Sequence, residues 1–355
     1  MHRTTVEQAA TGDLSWNHRL ARAASVFFFE PASARPLAAL RISLSAVLLG
    51  QAWLLRNEVL DLVAHDGIVQ GDLAPYLGGA GAPRLGWLVE RLAPLGISES
   101  SCLHAVCGLY IASLVGLGLG LFTRVASVLA WFLHWALLST GGPTSYGADT
   151  YAHIFLFYLM WVPAGGAWSL DVARGRASRA PSEMARLGLR VMQLHLCVSY
   201  LASGIQKSVG IQWWNGELIW RALSLPIHQQ IDTTWLASVP WLCQIACWSA
   251  LFIELGYCVF IWPRRTRRLW IAAIVALHLG IALFLGLGVF GVIMCALTLS
   301  LFGVSPEPRE AALGAEARSR RSMTLGPSGA RAREPRGLAQ PASLVGDRLL
   351  QIHMA

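Results

Sequence analysis

The sequence predicts an all-α protein, a polytopic transmembrane helical bundle of about eight spans with a disordered C-terminal tail. Composition, apolar run length and the placement of charge point the same way. Of 355 residues, 55% are hydrophobic and only 14% are charged, against about 25% charged in a water-soluble domain. Mean hydropathy is +0.50, and apolar runs of bilayer-spanning length recur along the chain. The net charge of +8 is gathered in a few loops and the tail, so it reads as a topology signal. Basic and aromatic residues are not interleaved as a nucleic-acid surface would require, so the expected partner is the lipid bilayer and not a nucleic acid.

Three regions follow. Residues 1–29 form a polar arm, and its aromatic step Val26-Phe27-Phe28-Phe29 suits an interfacial helix. Residues 30–303 form the transmembrane domain. Residues 304–355 form an Arg-rich tail whose Gly, Pro, Ala and Ser content predicts disorder. Residues 1–22 lack an early apolar segment, so the first span is expected to act as an uncleaved signal-anchor.

Span 1 is expected over 36–55, with Arg41 near its start. Residues 56–100 read as a long acidic loop. Its Gly78-Gly79-Ala80-Gly81 cluster is followed by no lysine, so it predicts a turn and not a phosphate cradle. Span 2 covers 101–122, and its Gly116 and Gly120 permit a close helix contact. Spans 3, 4, 5 and 6 follow at 125–138, 150–165, 185–209 and 239–262. The apolar stretch 269–302 is too long for one span and just long enough for two, with Gly286, Gly288 and Gly291 as turning points.

Basic residues decide the count. Arg124, the group Arg174, Arg176, Arg179 and Arg186, and the cluster Arg264, Arg265, Arg267 and Arg268 fall in alternate loops. Cytoplasmic loops carry such an excess. Placing the Arg-rich tail on the same side requires 269–302 to cross twice. A multi-pass cell-membrane protein with both termini cytoplasmic results, and residues 207–238 then face the opposite side.

The seven cysteines lie in or beside apolar runs without a C-x-x-C. They read as small apolar residues and not as disulfides or metal ligands. His104, His134, His153, His195 and His278 fall in or at the edges of spans, and each reads more simply as a helix-packing residue than a catalytic one. None has a histidine partner at ligand spacing, so no metal site is expected.

One residue stands apart. All but one of the 28 Lys and Arg residues are arginine, and the exception is Lys207. Arginine keeps its proton at any physiological pH, whereas an amine in low dielectric gives its proton up more easily and can serve as a base. The other reading is an interfacial lysine that snorkels. On a helix Gln193, Tyr200 and Lys207 are spaced by seven and share a face, with Ser203 and Gly204 close to that stripe. Such a stripe must face protein or a wet cavity, and Gly204 lets a second helix approach. Glu254 sits in the middle of span 6 and needs a partner. A histidine or arginine of a neighbouring helix would make it structural, whereas a place in the cavity would make it functional. Trp168 reads as an interfacial anchor and Asp171 as the cap of its local turn.

Tyr146 to Asp149, Phe157 to Pro163 and Trp168 to Asp171, then Gln193, Tyr200 to Lys207, Trp214-Asn215-Gly216, Glu254, Trp262-Pro263 and His278, stand in an order that resembles the HTTM domain. Bacterial membrane proteins and the vitamin K-dependent gamma-carboxylases share that domain. The resemblance spans residues 30–303. It implies that Lys207 is the base that deprotonates a reduced naphthoquinone of the vitamin K type on the extracytoplasmic side. It also implies that Gln193, Tyr200, Ser203, Gly204, His278 and His153 line the cavity, with Glu254, Trp214, Asn215 and Gly216 as intramembrane structural residues. Where the carboxylases have a histidine before the fourth span, this chain has Ala148, and His153 follows about one turn later. Short members of the family look like maturation factors for secreted peptides. The sequence therefore leaves two functions open. One is quinol-coupled proton abstraction or carboxylase-like chemistry. The other is a non-catalytic membrane factor for maturation, export or immunity of a small secreted peptide.

Overall fold

A computed structural model describes residues 3–68, 83–141, 145–228 and 230–306, with side chains of helical residues from Trp16 onward. All of these lie in one compact unit, Met1–Pro308. Among the described residues the structure is helical, and the sole β-type contact is an isolated bridge between Ala32 and Ser182. The Gly78–Gly81 cluster and the tail from 307 onward lie outside the described residues.

The principal helices are α1 (Arg3–Phe29), α2 (Arg35–Leu54), α3 (Glu99–Leu119), α4 (Thr123–Gly141), α5 (Gly147–Trp161), α6 (Glu183–Ser208), α7 (Trp241–Phe260), α8 (Arg264–Leu285) and α9 (Gly288–Thr298). Each expected span has a helix within a few residues of it. Four of these helices, α2, α3, α7 and α8, are long and apolar enough to cross a membrane. The apolar segment Gly288–Gly303 is shorter.

Residues 56–100, read from sequence as loop, carry two short helices, Val59–Val63 and Leu85–Leu92. Their apolar residues recur at helical spacing, and Val63 and Leu85 are buried in the main core. Within 269–302 the turn falls at Gly286, whose φ of +70° is the left-handed conformation that glycine adopts without penalty. At Gly291 an added Cβ would stand 2.5 Å from the His278 carbonyl oxygen, so glycine lets α9 fold back closely on α8. The chain then closes in a π-turn, Leu299–Gly303. The carbonyl of its buried Leu301 accepts a 2.7 Å hydrogen bond from Gln193 Nε2.

Arg41 on α2 is fully buried. Its guanidinium donates to the carbonyls of Leu117, Gly118, Ala164, Ala167 and Trp168 at 2.5–3.4 Å. Leu117 and Gly118 belong to the last turn of α3, whose carbonyls have no partner inside their own helix. Asp171 completes this corner. It accepts from the Phe122 and Thr123 amides at 2.9 and 2.8 Å and from the Thr123 hydroxyl at 2.7 Å. The Asp171 side chain therefore caps the start of α4, 48 residues earlier in the chain, whereas its own turn is capped by Ser169, whose hydroxyl accepts from the Val172 amide. Burial opposes its charge, but the Thr123 and Phe122 hydrogen bonds, with Arg176 nearby, outweigh that and hold the carboxyl below its ordinary value.

Candidate functional site

The helices α6 and α7 pack closely along their length. Gly204 makes this possible. A Cβ there would lie 2.9 Å from the Leu255 side chain and 3.1 Å from the Leu255 amide nitrogen. This approach carries Glu254 to Lys207, and the Lys207 Nζ donates to both carboxylate oxygens at 2.5 and 2.6 Å. It donates also to Ser203 Oγ, one turn back on α6, at 2.8 Å. The amine lies 5.3 Å from the centre of the Trp213 ring, a cation–π arrangement supplied by the segment after α6. Glu254 thus pairs with neither a histidine nor an arginine. Its partner is the lone lysine.

Below the pair lies an aromatic layer. Tyr200 is buried, with its ring 4.3 Å from Tyr257 and 5.9 Å, edge-on, from His278. His278 is buried as well, bonds the Ile274 carbonyl through Nδ1 at 3.0 Å, and contacts Phe290 with ring centres 5.7 Å apart. Tyr200 lies within electrostatic range of Glu254, and His278 within range of Lys207. The Tyr200 hydroxyl is buried beside Thr298 yet makes no hydrogen bond of good geometry. A buried hydroxyl without a partner is uncommon and is a natural place for a bound polar atom.

Lys207, Ser203, Gly204, Glu254, Tyr200 and His278 are thereby brought into one region. Three other sequence-derived residues stand elsewhere. Gln193 is two turns beyond Tyr200, roughly 10 Å along the helix, and serves the π-turn and Arg190 instead. His153 stacks on Trp131 and His134 between α4 and α5. His195, also on α6, bonds the Tyr158 hydroxyl at 2.9 Å. Trp214, Asn215 and Gly216 occupy the connection between α6 and α7, and Trp214 is 47% exposed. The Trp214 carbonyl accepts from Gln244 Nε2 and Trp248 Nε1. Gly216, with φ of +81°, abuts the Gln244 backbone. Trp214 and Gly216 clip the connection onto the first turns of α7, while Asn215 Oδ1 accepts from the Glu217 amide within the connection itself.

Sequence reading placed Arg41 in span 1 without giving it a role, and missed Tyr257, Ser203 as a direct lysine partner, and a second polar cluster. Arg41 had a usable signal, a guanidinium inside an apolar span. The second cluster borders a cavity of about 680 Å³ between α2, α3, α4 and α5, whose lining includes neither Lys207 nor Glu254. There the Tyr110 hydroxyl meets His134 Nδ1 at 2.9 Å, and Gln51 Nε2 donates to Asp149 at 2.8 Å. All seven cysteines are free thiols. Among the described residues no cluster of His, Cys, Asp or Glu is arranged to hold a metal ion.

Four apolar helices long enough to cross a bilayer mark an integral membrane protein, and the ion pair ties one of them, α7, to α6. Residues 87–305 match the family model of the HTTM domain, and the chain belongs to that family. No curated protein and no solved structure matches it.

Proposed function

We propose that this HTTM-domain protein abstracts a proton from a bound quinol, with Lys207 as the base and Glu254 as its proton partner. The hydrogen-bonded Lys207–Glu254 pair carries this reading. Water is largely excluded from the pair, whose side chains are 24% and 7% exposed. Transfer of one proton from Nζ to the Glu254 carboxylate leaves a neutral amine and a carboxylic acid. The amine lone pair then takes a proton from a substrate hydroxyl and becomes ammonium again, beside a carboxyl that can hand its own proton on. Ser203 fixes the direction of Nζ, and Gly204 keeps the two helices near enough for the transfer.

The surrounding residues suit a reduced naphthoquinone. Tyr200, His278, Phe290 and Trp213 offer ring surfaces, and the unpartnered Tyr200 hydroxyl offers a hydrogen bond to a ring oxygen. Such a group would supply the acidic hydroxyl and, in turnover, two electrons and two protons that dioxygen would accept as the quinol becomes quinone. The chain itself supplies the base, the orientation and the exclusion of water.

The same reading uses eight membrane passes. The helices α4, α5, α6 and α9 complete the set begun by α2, α3, α7 and α8. Both termini are then cytoplasmic, with Lys207 toward the opposite face.

The test is Lys207→Arg in purified protein reconstituted into lipid nanodiscs with reduced menaquinone or vitamin K hydroquinone. Arginine keeps the charge and the pairing but does not act as a base. Quinol turnover is expected to fall about a hundredfold or more, with unchanged membrane levels and folding. A wild-type protein that turns over neither quinol removes the proposal. So does a fully active Lys207→Arg protein, which favours the non-catalytic factor for a small secreted peptide.

A further inference from the structure

At the other end of α6, 17 residues before Lys207 in the sequence, Arg190 meets the last turns of α1. A cavity of about 530 Å³ opens there, lined by Arg19, Arg22, Ala23, Val26, Phe27, Glu30 and Arg190. Three guanidinium groups therefore face one carboxylate. That carboxylate is already engaged, since Glu30 pairs with Arg186 at 3.8 Å and its carbonyl accepts from Arg186 Nε at 2.8 Å. Among the described residues no acidic side chain is within ion-pair distance of Arg19, Arg22 or Arg190.

Arg190 is held rigidly. Its guanidinium stacks 4.3 Å from the Phe27 ring and 5.4 Å from Trp262. Nε donates to the Phe27 carbonyl at 3.2 Å and Nη1 to Gln193 at 2.9 Å. No described group accepts from Nη2, which leaves part of the fork directed to an outside oxygen. Arg186 and Arg267 lie within electrostatic range and add to the positive field, which Glu30 offsets only in part.

The neighbouring surface of α1 is apolar and open. Trp16, Leu20, Val26 and Phe29 are 63%, 50%, 51% and 45% exposed. A helix with exposed Trp, Leu and Phe beside arginines suits the boundary between headgroups and acyl chains. We infer that this pocket binds the phosphodiester headgroup of an anionic glycerophospholipid, with an acyl chain along Val26 and Phe29. An acidic peptide would supply charge but no chain for the exposed apolar stripe, and a free phosphate would leave that stripe in water.

The test uses the full-length protein purified in neutral detergent. It is titrated with phosphatidylglycerol, with phosphatidylcholine and with inorganic phosphate, and bound species are counted by native mass spectrometry. Phosphatidylglycerol is expected to be retained at one site with at least tenfold preference over phosphatidylcholine. The variant Arg19→Gln/Arg22→Gln alters two exposed side chains of α1 and leaves the core untouched. With about 1 kcal/mol per basic residue near a charged surface, it is expected to weaken retention about thirtyfold. Arg190→Lys, which keeps the charge but not the fork, is expected to weaken it less. Equal retention of the two lipids overturns the proposal, as does an unchanged double variant. Displacement of phosphatidylglycerol by millimolar phosphate would mark a soluble-anion site and overturn it too.

Discussion

The Lys207 amine and the Glu254 carboxylate are 47 residues apart in the chain and make two hydrogen bonds of 2.5 and 2.6 Å between α6 and α7. Each charge is largely withdrawn from water, so each depends on the other. A charge left alone in such a position is far more costly than the absent pair.

Removal of one partner is therefore expected to destabilise the fold more than removal of both. Glu254→Gln should lower the unfolding free energy by about 3 kcal/mol, the lower end for buried pairs because the lysine keeps some contact with water. Lys207→Met combined with Glu254→Leu should recover most of that loss while abolishing quinol turnover. Unfolding by denaturant in lipid bicelles measures both. A double variant no more stable than the single one would mean that the pair does not act as a unit.

Gly204 sets the spacing on which the pair depends. An alanine Cβ would meet the Leu255 side chain at 2.9 Å and its backbone nitrogen at 3.1 Å. The side chain can yield but the backbone cannot, so α6 and α7 must separate. Gly204→Ala is expected to cost about 1–3 kcal/mol, seen as a lower thermal midpoint. Ser203→Ala deletes a single hydrogen bond to Lys207 and should cost about 1 kcal/mol. Equal midpoints for Gly204→Ala and wild type would show that close approach is not required.

Asp171 predicts a dependence on pH. Its carboxyl is held below the ordinary value in the folded protein, chiefly by hydrogen bonds from Thr123 and Phe122 acting against burial. The unfolded state then binds the proton more readily. The contribution is full above the ordinary carboxylate range, near pH 4, and is lost as pH falls through the lower folded value. Asp171→Asn should lower stability near neutral pH by about 1 kcal/mol, as for a lost helix cap, and should flatten the acid limb of the profile. An unchanged acid limb in Asp171→Asn would assign it to other carboxylates.

Much of the architecture was legible in the residues alone. Apolar run length located the helices α2 to α9 to within a few positions, because a bilayer fixes how many residues a pass needs, but it missed the two short helices within 56–100. A turn within 269–302 was legible from Gly286, Gly288 and Gly291, because only glycine enters the left-handed region freely, but the structure was needed to place it at Gly286. Lys207 was visible as the single amine in an arginine background. Glu254 was visible as a carboxylate that wanted a partner, but which partner was not. Asp171 was visible as a cap, but not as the cap of a helix that begins 48 residues earlier.

These gaps share a cause. Periodicity along one helix tells which side chains share a face, and says nothing of the rotation and depth at which a second helix meets that face. That meeting is decided by small residues at the contact, such as Gly204 against Leu255 and Gly118 against Ser45. The amino-acid sequence by itself determined a helical membrane bundle, the positions of its helices and the singular amine. The tertiary structure alone decided that this amine meets Glu254, that Gln193 and His153 stand elsewhere, and that Arg41 closes the end of α3. The physical reason is that helix formation follows from local hydrogen bonds and hydropathy, whereas charge pairing follows from distances that packing alone sets.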